Sequence, residues 1–436
     1  MVDPMTFVVC FLGALIILGA AGIHVAVIMF VIAGATALLT LGPAVVMNIG
    51  NLAWATQNDF ILVSVPLFIL LGELLLRAGL SERMYAALAT WTNKVPGGLL
   101  HTNIVSCGLF AATSGSSIAT AATIGTVALP AFREREYDER IVLGSLAAGG
   151  TLGILIPPSI NMIVYGAMTD TSIGRLFAAG VIPGLILVSL FMLTIVGLAL
   201  WRPAIAGKGE KSVGWATRLA MLVDLVPLIV VGFIVMGSIY AGWATATEAA
   251  GLGVVAALVI VGFYGRLSIR MLNDAVRSTI RTTGVVLLIV VAAFFLNFVI
   301  SLLGVPQAIA SWIRDMGISP LETILVLVLL YLVLGCFLET LSMMVTTIPV
   351  VTPLVVSLGF DPVWFGIFLV VMAELSLITP PVGMNLYVVH GIRGPGRDIT
   401  EVMVGAVPFV VTMLLLTGML IAWPQLALWL PDRLYQ

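Results

Sequence analysis

The polar residues of this chain gather in short clusters, and between them run stretches that are apolar on every face. A helix needs about 20 apolar residues to cross about 30 Å of hydrocarbon. Ten stretches predict such spans: 5–20, 23–41, 58–79, 141–168, 174–201, 219–240, 243–265, 282–300, 361–391 and 402–430. Two further apolar stretches do not fit a single crossing. The stretch 99–132 is too long, and the small polar run Ala111-Ala112-Thr113-Ser114-Gly115-Ser116-Ser117 interrupts it. Each of its arms is about 15 residues, about 22 Å of helix, too short to cross alone. The stretch 320–357 is interrupted in the same way at Glu339-Thr340-Leu341-Ser342. Both predict helical hairpins that enter and leave on one side, with a tip that must be covered by protein or line a wet cavity. Two of the ten spans also carry helix breakers, Pro157-Pro158 in 141–168 and Pro380-Pro381 in 361–391. A Pro-Pro pair removes two backbone donors, and the carbonyls it frees need other partners, a bound cation among them.

Composition narrows the class. Charged residues make up 9% and apolar residues 61%, with a mean hydropathy of +1.19. A soluble globular chain carries roughly 25% charged residues. A soluble enzyme, a disordered chain and a nucleic-acid binder are therefore excluded, and no partner nucleic acid is expected. Long apolar runs, rather than alternating ten-residue segments, exclude a membrane β-barrel. What remains is an all-α polytopic membrane protein in a lipid bilayer. Cys10, Cys107 and Cys336 lie in apolar runs and are odd in number, which suits packing rather than disulfides. His24, His101 and His390 offer no metal-ligand spacing, and no phosphate loop for ATP exists. The start, Met1-Val2-Asp3-Pro4, lacks a basic region and reads as mature sequence rather than a signal peptide.

Lys and Arg placement sets the expected orientation. The 202–218 loop holds Arg202, Lys208, Lys211 and Arg218, and the 265–281 stretch holds Arg266, Arg270, Arg277 and Arg281. Placing both inside puts 16 basic residues inside and three, Arg175, Arg314 and Arg433, outside. Both termini then fall on the outer side.

The two halves follow one plan. Each has a hairpin with a polar tip, then a span broken at Pro-Pro, then an Asn (Asn161 and Asn385). Ser114 precedes Pro157 by 43 residues, and Glu339 precedes Pro380 by 41. Short amphipathic segments with a Trp, 80–94 and 305–316, precede the hairpins. By the charge rule the first hairpin enters from inside and the second from outside, so the repeat is inverted, as in secondary transporters. The expected organisation is 1–57 as N-terminal scaffold helices and 58–201 as the first repeat. Then come 202–281 as central scaffold helices with basic inner loops, and 282–436 as the second repeat.

Of the 16 residues from Ala111 to Thr126, 14 are Ala, Gly, Ser or Thr. Residues 118–126 suit close helix packing. The tip, Ser114 to Ser117, instead offers hard oxygen donors of the kind a small hard cation such as Na⁺ takes. Acids inside apolar runs are costly and need a reason. Glu73 has Arg77 at i+4, whereas Glu248, Glu339 and Glu374 have no such local partner. A reading from another class is an intramembrane serine protease with Ser114 as nucleophile and His390 as base. A full G-x-S-x-G elbow is missing for it.

Four segments together resemble a known family, the DctM-like large membrane subunits of tripartite ATP-independent periplasmic (TRAP) transporters. They are Ser114-Gly115-Ser116-Ser117-Ile118-Ala119, residues 150–159 (GTLGILIPPS), Ala246-Thr247-Glu248-Ala249-Ala250, and residues 374–386 (ELSLITPPVGMNL). The chain differs from the family's common pattern in having Ala244-Thr245-Ala246-Thr247-Glu248 where Thr-Pro-Thr-Glu is usual. It also has Glu339 where the second tip commonly has Asp.

The resemblance implies a multi-pass protein of the bacterial inner membrane that works as an elevator, a transport domain of hairpins and broken helices sliding against a scaffold. It implies Na⁺ as coupling ion with no other cofactor or metal, a small membrane subunit of the DctQ type, and a periplasmic solute-binding protein that delivers an organic anion. By match, one Na⁺ site involves Ser114, Ser117 and the backbone near Gly150. The mirror site involves Thr340, Ser342 and Thr379. Substrate is expected between the tips, near Ser116, Asn161, Glu339 and Asn385. A stand-alone Na⁺/dicarboxylate symporter of a related fold would share these features without a binding protein.

Overall fold

The computed structural model describes residues 4–207, 214–394 and 397–435, and among them there is no strand. Lys208 and Lys211 of the expected basic loop, and Met1 to Asp3, lie outside the described residues. Four helices open the chain: α1 (Pro4–Ala20), α2 (Val25–Thr40), α3 (Pro43–Met47) and α4 (Ile49–Gln57). They are followed by α5 (Ser64–Arg77) and α6 (Leu80–Thr92), then by the first hairpin, α7 (Leu99–Ser114) and α8 (Ser117–Glu134). The first broken helix is α9 (Glu139–Leu155) with α10 (Ile160–Thr169). Next come α11 (Ile173–Trp201), α12 (Trp215–Met221), α13 (Val226–Tyr240), α14 (Ala246–Phe263), α15 (Ile269–Leu302) and α16 (Val305–Asp315). The second hairpin is α17 (Pro320–Gly335) with α18 (Thr340–Ser357), and the second broken helix is α19 (Pro362–Ile378) with α20 (Met384–Arg393). The chain closes with α21 (Thr400–Ala422) and α22 (Gln425–Leu434).

The first halves of the broken helices form the centre. Every residue from Val142 to Leu155 on α9, and from Val363 to Ile378 on α19, is buried. A helix that is apolar all round belongs inside a bundle. Around them, α11, α13, α14 and α21 bury one face and expose large side chains such as Leu185, Leu193, Phe233, Val255 and Leu415. Apolar exposure on that scale suits lipid, not water. Seven helices among the described residues are long and apolar enough to cross a membrane, or eight if a bent pair is one span.

Glycine permits the closest crossing. A Cβ on Gly144 of α9 would stand 1.9 Å from the Gly405 carbonyl oxygen, and one on Gly405 of α21 would stand 1.9 Å from that of Arg140. The two backbones therefore meet with no side chain between them. An ionic clasp lies alongside. Arg393, at the end of α20, pairs with Glu139 at 2.9 Å and with Glu401, and Arg397 also pairs with Glu139. Arg133 of α8 donates to the Arg393 carbonyl at 2.9 Å. Four elements are thus tied at one end of the bundle.

Several elements differ from the expected boundaries. The expected span 58–79 contains only the 14-residue α5, because Asp59 accepts from the Ile61 and Leu62 amides in a tight turn before it. At its other end Gly79, at φ +70°, takes a left-handed turn, and the axis bends by 70° into α6. The expected span 402–430 ends at Ala422, where Trp423-Pro424 starts the separate α22. The stretch 265–281, expected as a loop, is helical from Ile269, capped by the Ser268 hydroxyl. Three of its four arginines, Arg270, Arg277 and Arg281, ride on a 34-residue helix, about 51 Å long. Glu248 is an exposed helix cap and not a buried acid: it closes a capping box with Thr245 at the start of α14.

Candidate functional site

Both hairpin tips and the first break border one cavity of about 520 Å³. Each contributes a helix start. Ser116 caps α8 by accepting from the Ala119 amide at 3.4 Å, Ser159 caps α10 by accepting from Met162 at 3.4 Å, and Glu339 caps α18 by accepting from Ser342 at 3.2 Å. Three helix N-termini therefore open at the cavity, through Ser116–Ser117, Ile160–Asn161 and Glu339–Thr340. Helix N-termini carry partial positive charge and unsatisfied N–H groups, so they suit an anion. The opposite wall is formed by α5 and by one face of α15, Arg281, Thr282, Val285, Val286 and Ile289.

The first tip is held by small residues. Gly115 takes φ +58°, where a Cβ would lie 3.1 Å from the Pro158 carbonyl oxygen. Only glycine combines that angle with that approach. A Cβ on Gly153 would meet the Ser116 carbonyl oxygen at 2.6 Å. The tip thus sits on α9 and on the first break. Within it, Ser114 and Thr120 share a hydrogen bond of 2.8 Å, and Thr120 donates to the Ser116 carbonyl at 2.8 Å.

The expected ion residues fall in two places. Ser117 donates to the Glu374 carboxylate, 2.7 Å to Oε1 and 3.0 Å to Oε2. A Cβ on Gly150 would lie 3.2 Å from the Ser117 carbonyl oxygen and 2.9 Å from Asn385 Nδ2. Ser117, Gly150, Glu374 and Asn385 therefore make one buried polar cluster. Asn385 belongs to it rather than to the cavity wall. It donates to the Ala147 carbonyl at 3.1 Å, while its Oδ1 is buried with no hydrogen-bond partner. An orphaned buried acceptor in the same cluster as the Ser117–Glu374 pair fits a cation. The mirror residues are looser. Thr340 borders the cavity and bonds Glu339 at 3.2 Å. Ser342 donates to the same Glu339 carboxylate at 3.1 Å and lies off the cavity. Thr379 donates to the Leu375 carbonyl at 2.7 Å, also off the cavity.

The two asparagines cross between halves. Asn161, after the first break, borders the cavity and reaches Met344 of α18 at 3.3 Å, while Asn385, after the second, reaches α9. Ser114 and His390 are not brought together: the serine bonds Thr120, and His390 does not border the cavity.

Sequence reasoning left Arg281 among the inner basic residues and left Glu374 without a partner. A signal existed for Glu374, an acid in an apolar run six residues before Pro380. None separates Arg281 from its neighbours Arg270 and Arg277.

The family model for the DctM component of the tripartite ATP-independent periplasmic transporters matches residues 5–426. This chain belongs to that family. It is a TRAP large permease subunit and not an enzyme, in keeping with the permease names its relatives carry. One relative is the C4-dicarboxylate TRAP large permease DctM of Pseudomonas aeruginosa, 33% identical over 405 residues, covering 92% of this chain and 93% of that one. Another is the isethionate TRAP permease DctMQ of Oleidesulfovibrio alaskensis, 30% identical over 441 residues, covering 97% of this chain and 66% of that one. Among solved structures, the YdaH transporter of Alcanivorax borkumensis has the same fold at a TM-score of 0.60, with 16% identity and 90% of each chain covered.

Proposed function

We propose that this TRAP large permease moves an organic acid anion inward across the bacterial inner membrane, coupled to Na⁺, by an elevator motion. The observation that carries this reading is the convergence on one cavity of three helix N-termini, two of them capped only by neutral serines, between the hairpin tips and the α5–α15 wall. Such a cavity favours an anion, and its α15 wall rests on α2, α4 and α5 while meeting the second hairpin through α18, a contact that an elevator motion would have to exchange. Na⁺ is supported by the Ser117–Glu374–Asn385 cluster, where the orphaned Asn385 Oδ1, the Ser117 carbonyl oxygen near Gly150 and the Glu374 carboxylate are all hard oxygens. The matching order of hairpin, break and Asn supports a repeat, and the Lys and Arg placement supports its inversion and both termini outside.

A small membrane subunit of the DctQ type and a periplasmic solute-binding protein are the partners this reading requires. The tripartite family name supports both, and the longer DctMQ relative leaves about a third of its length unmatched by this chain. The substrate class follows the C4-dicarboxylate and isethionate names of the relatives, both organic anions.

Uptake into proteoliposomes holding this chain and its small subunit tests the proposal. Transport is expected only with the binding protein present and an inward Na⁺ gradient. Full uptake without the binding protein would favour the stand-alone symporter, and full uptake driven by protons alone would refute the coupling ion.

A further inference from the structure

The wall opposite the hairpin tips carries a cation that the transport reading has not used. Arg281 borders the cavity from α15, is exposed to it, and has no ion-pair or hydrogen-bond partner among the described residues. The acids around it are already engaged. Glu73, on the same wall, accepts from Arg77 at 3.1 Å through one oxygen and from Ser278 at 2.6 Å through the other. Glu339, across the cavity, is turned to the start of α18, where Ser342 and Thr340 hold it. Ser278 stands three residues before Arg281 on α15, so its bond to Glu73 docks that turn of α15 on α5. Arg281 is thereby placed at the end of the apolar strip formed by Val285, Val286 and Ile289. A guanidinium offers a planar fork of donors matched to carboxylate and similar oxyanions.

We propose that Arg281 receives an oxyanion group of the transported solute, a carboxylate or a sulfonate, from the scaffold side of the cavity. This rests on the transport reading and refines it. The helix starts at Ser116–Ser117 and Ile160–Asn161 would hold one end of the solute, and Arg281 the other. Because α15 packs on α2, α4 and α5 and meets the hairpins through α18, the contact would exist only while the tips face this wall.

The test needs no knowledge of the solute. Val285, one turn from Arg281 and exposed in the cavity, is replaced by cysteine in the full chain after the three native cysteines are removed. Its labelling rate is measured with two methanethiosulfonate reagents of similar size, one bearing a sulfonate and one a trimethylammonium group. The sulfonate reagent is expected to react faster by about tenfold after correction for intrinsic rates, the scale of one nearby charge in a partly wet cavity. The preference should vanish in R281Q, persist in R281K, and persist in R277Q, since Arg277 bonds Asn273 and does not border the cavity. Equal rates in the Arg281 chain, absence of labelling, or an unchanged preference in R281Q would each overturn the proposal. Uptake that ignores Na⁺ in every variant would count against the transport reading alone, because the reagent preference does not depend on Na⁺.

Discussion

At the scale of single residues, the Ser117–Glu374 bond joins the two halves of the chain at the buried polar cluster. Glu374 is fully buried and Ser117 is its one side-chain donor among the described residues, so removing that hydroxyl takes away a buried hydrogen bond, at a cost of about 1–3 kcal/mol. Ser117→Ala is therefore expected to lower the melting temperature in detergent and to raise the Na⁺ concentration for half-maximal uptake about tenfold. Thr379→Ala loses one local bond to the Leu375 carbonyl and should weaken Na⁺ dependence with little effect on melting. An unchanged Na⁺ response in both variants would remove these residues from the ion sites. Gly150→Ala is a sharper probe. Its Cβ would lie 2.7 Å from that of Ala121 and 2.9 Å from Asn385 Nδ2, and overpacking of this kind costs about 1–3 kcal/mol. The expected result is a folded chain with a weakened Na⁺ response, measured by Na⁺-dependent thermal shift.

At the scale of elements, the ends of α8, α9, α20 and α21 are held by Arg393, whose side chain is 3% exposed while its partners Glu139 and Glu401 are about one-third exposed. Removing a buried cation that two acids share weakens both pairs, with only the more exposed Arg397 and Arg140 left to face Glu139 and Glu401. Arg393→Met should destabilise the chain by about 3 kcal/mol, seen as a lower melting temperature, whereas Arg397→Met, at the exposed rim, should change it little. Equal effects would mean that burial does not govern the clasp. The Gly144–Gly405 crossing is less forgiving. A methyl group there meets backbone at 1.9 Å, so Gly144→Ala should force α9 and α21 apart and reduce the yield of folded protein in membranes, read by fluorescence-detected size exclusion.

At the scale of the whole molecule, the cavity lies between the hairpin tips with the first break and the α5–α15 wall, which also touches the hairpins through α7 and α18. If the hairpins and broken helices move as a body, Ser116 at the tip must change the side from which it meets water. A cysteine at Ser116, in a chain without the native three, should be labelled from opposite sides of the membrane with and without Na⁺ and solute. Labelling from one side under all conditions would exclude the elevator motion.

The sequence alone determined the class, the hairpins and the two breaks, because these depend on local quantities: the length of an apolar run against the bilayer, and Pro-Pro pairs that no helix can absorb. It also singled out Ser114 to Ser117, Asn161 and Glu339, which the structure brings to one cavity. Long-range partners were not legible. Ser117 and Glu374 are 257 residues apart, and nothing in either neighbourhood names the other. Asn385 looked like a cavity residue by its position after the break, but α20 packs on α8 and α9 and turns it inward to Gly150. Arg281 looked like one more inner-loop arginine until the Ser278–Glu73 bond placed its face of α15 on the cavity. Which polar groups meet is decided by how helices pack, since membrane helices of similar apolar composition can be arranged in many ways. Close glycine contacts and a few buried hydrogen bonds select one of them.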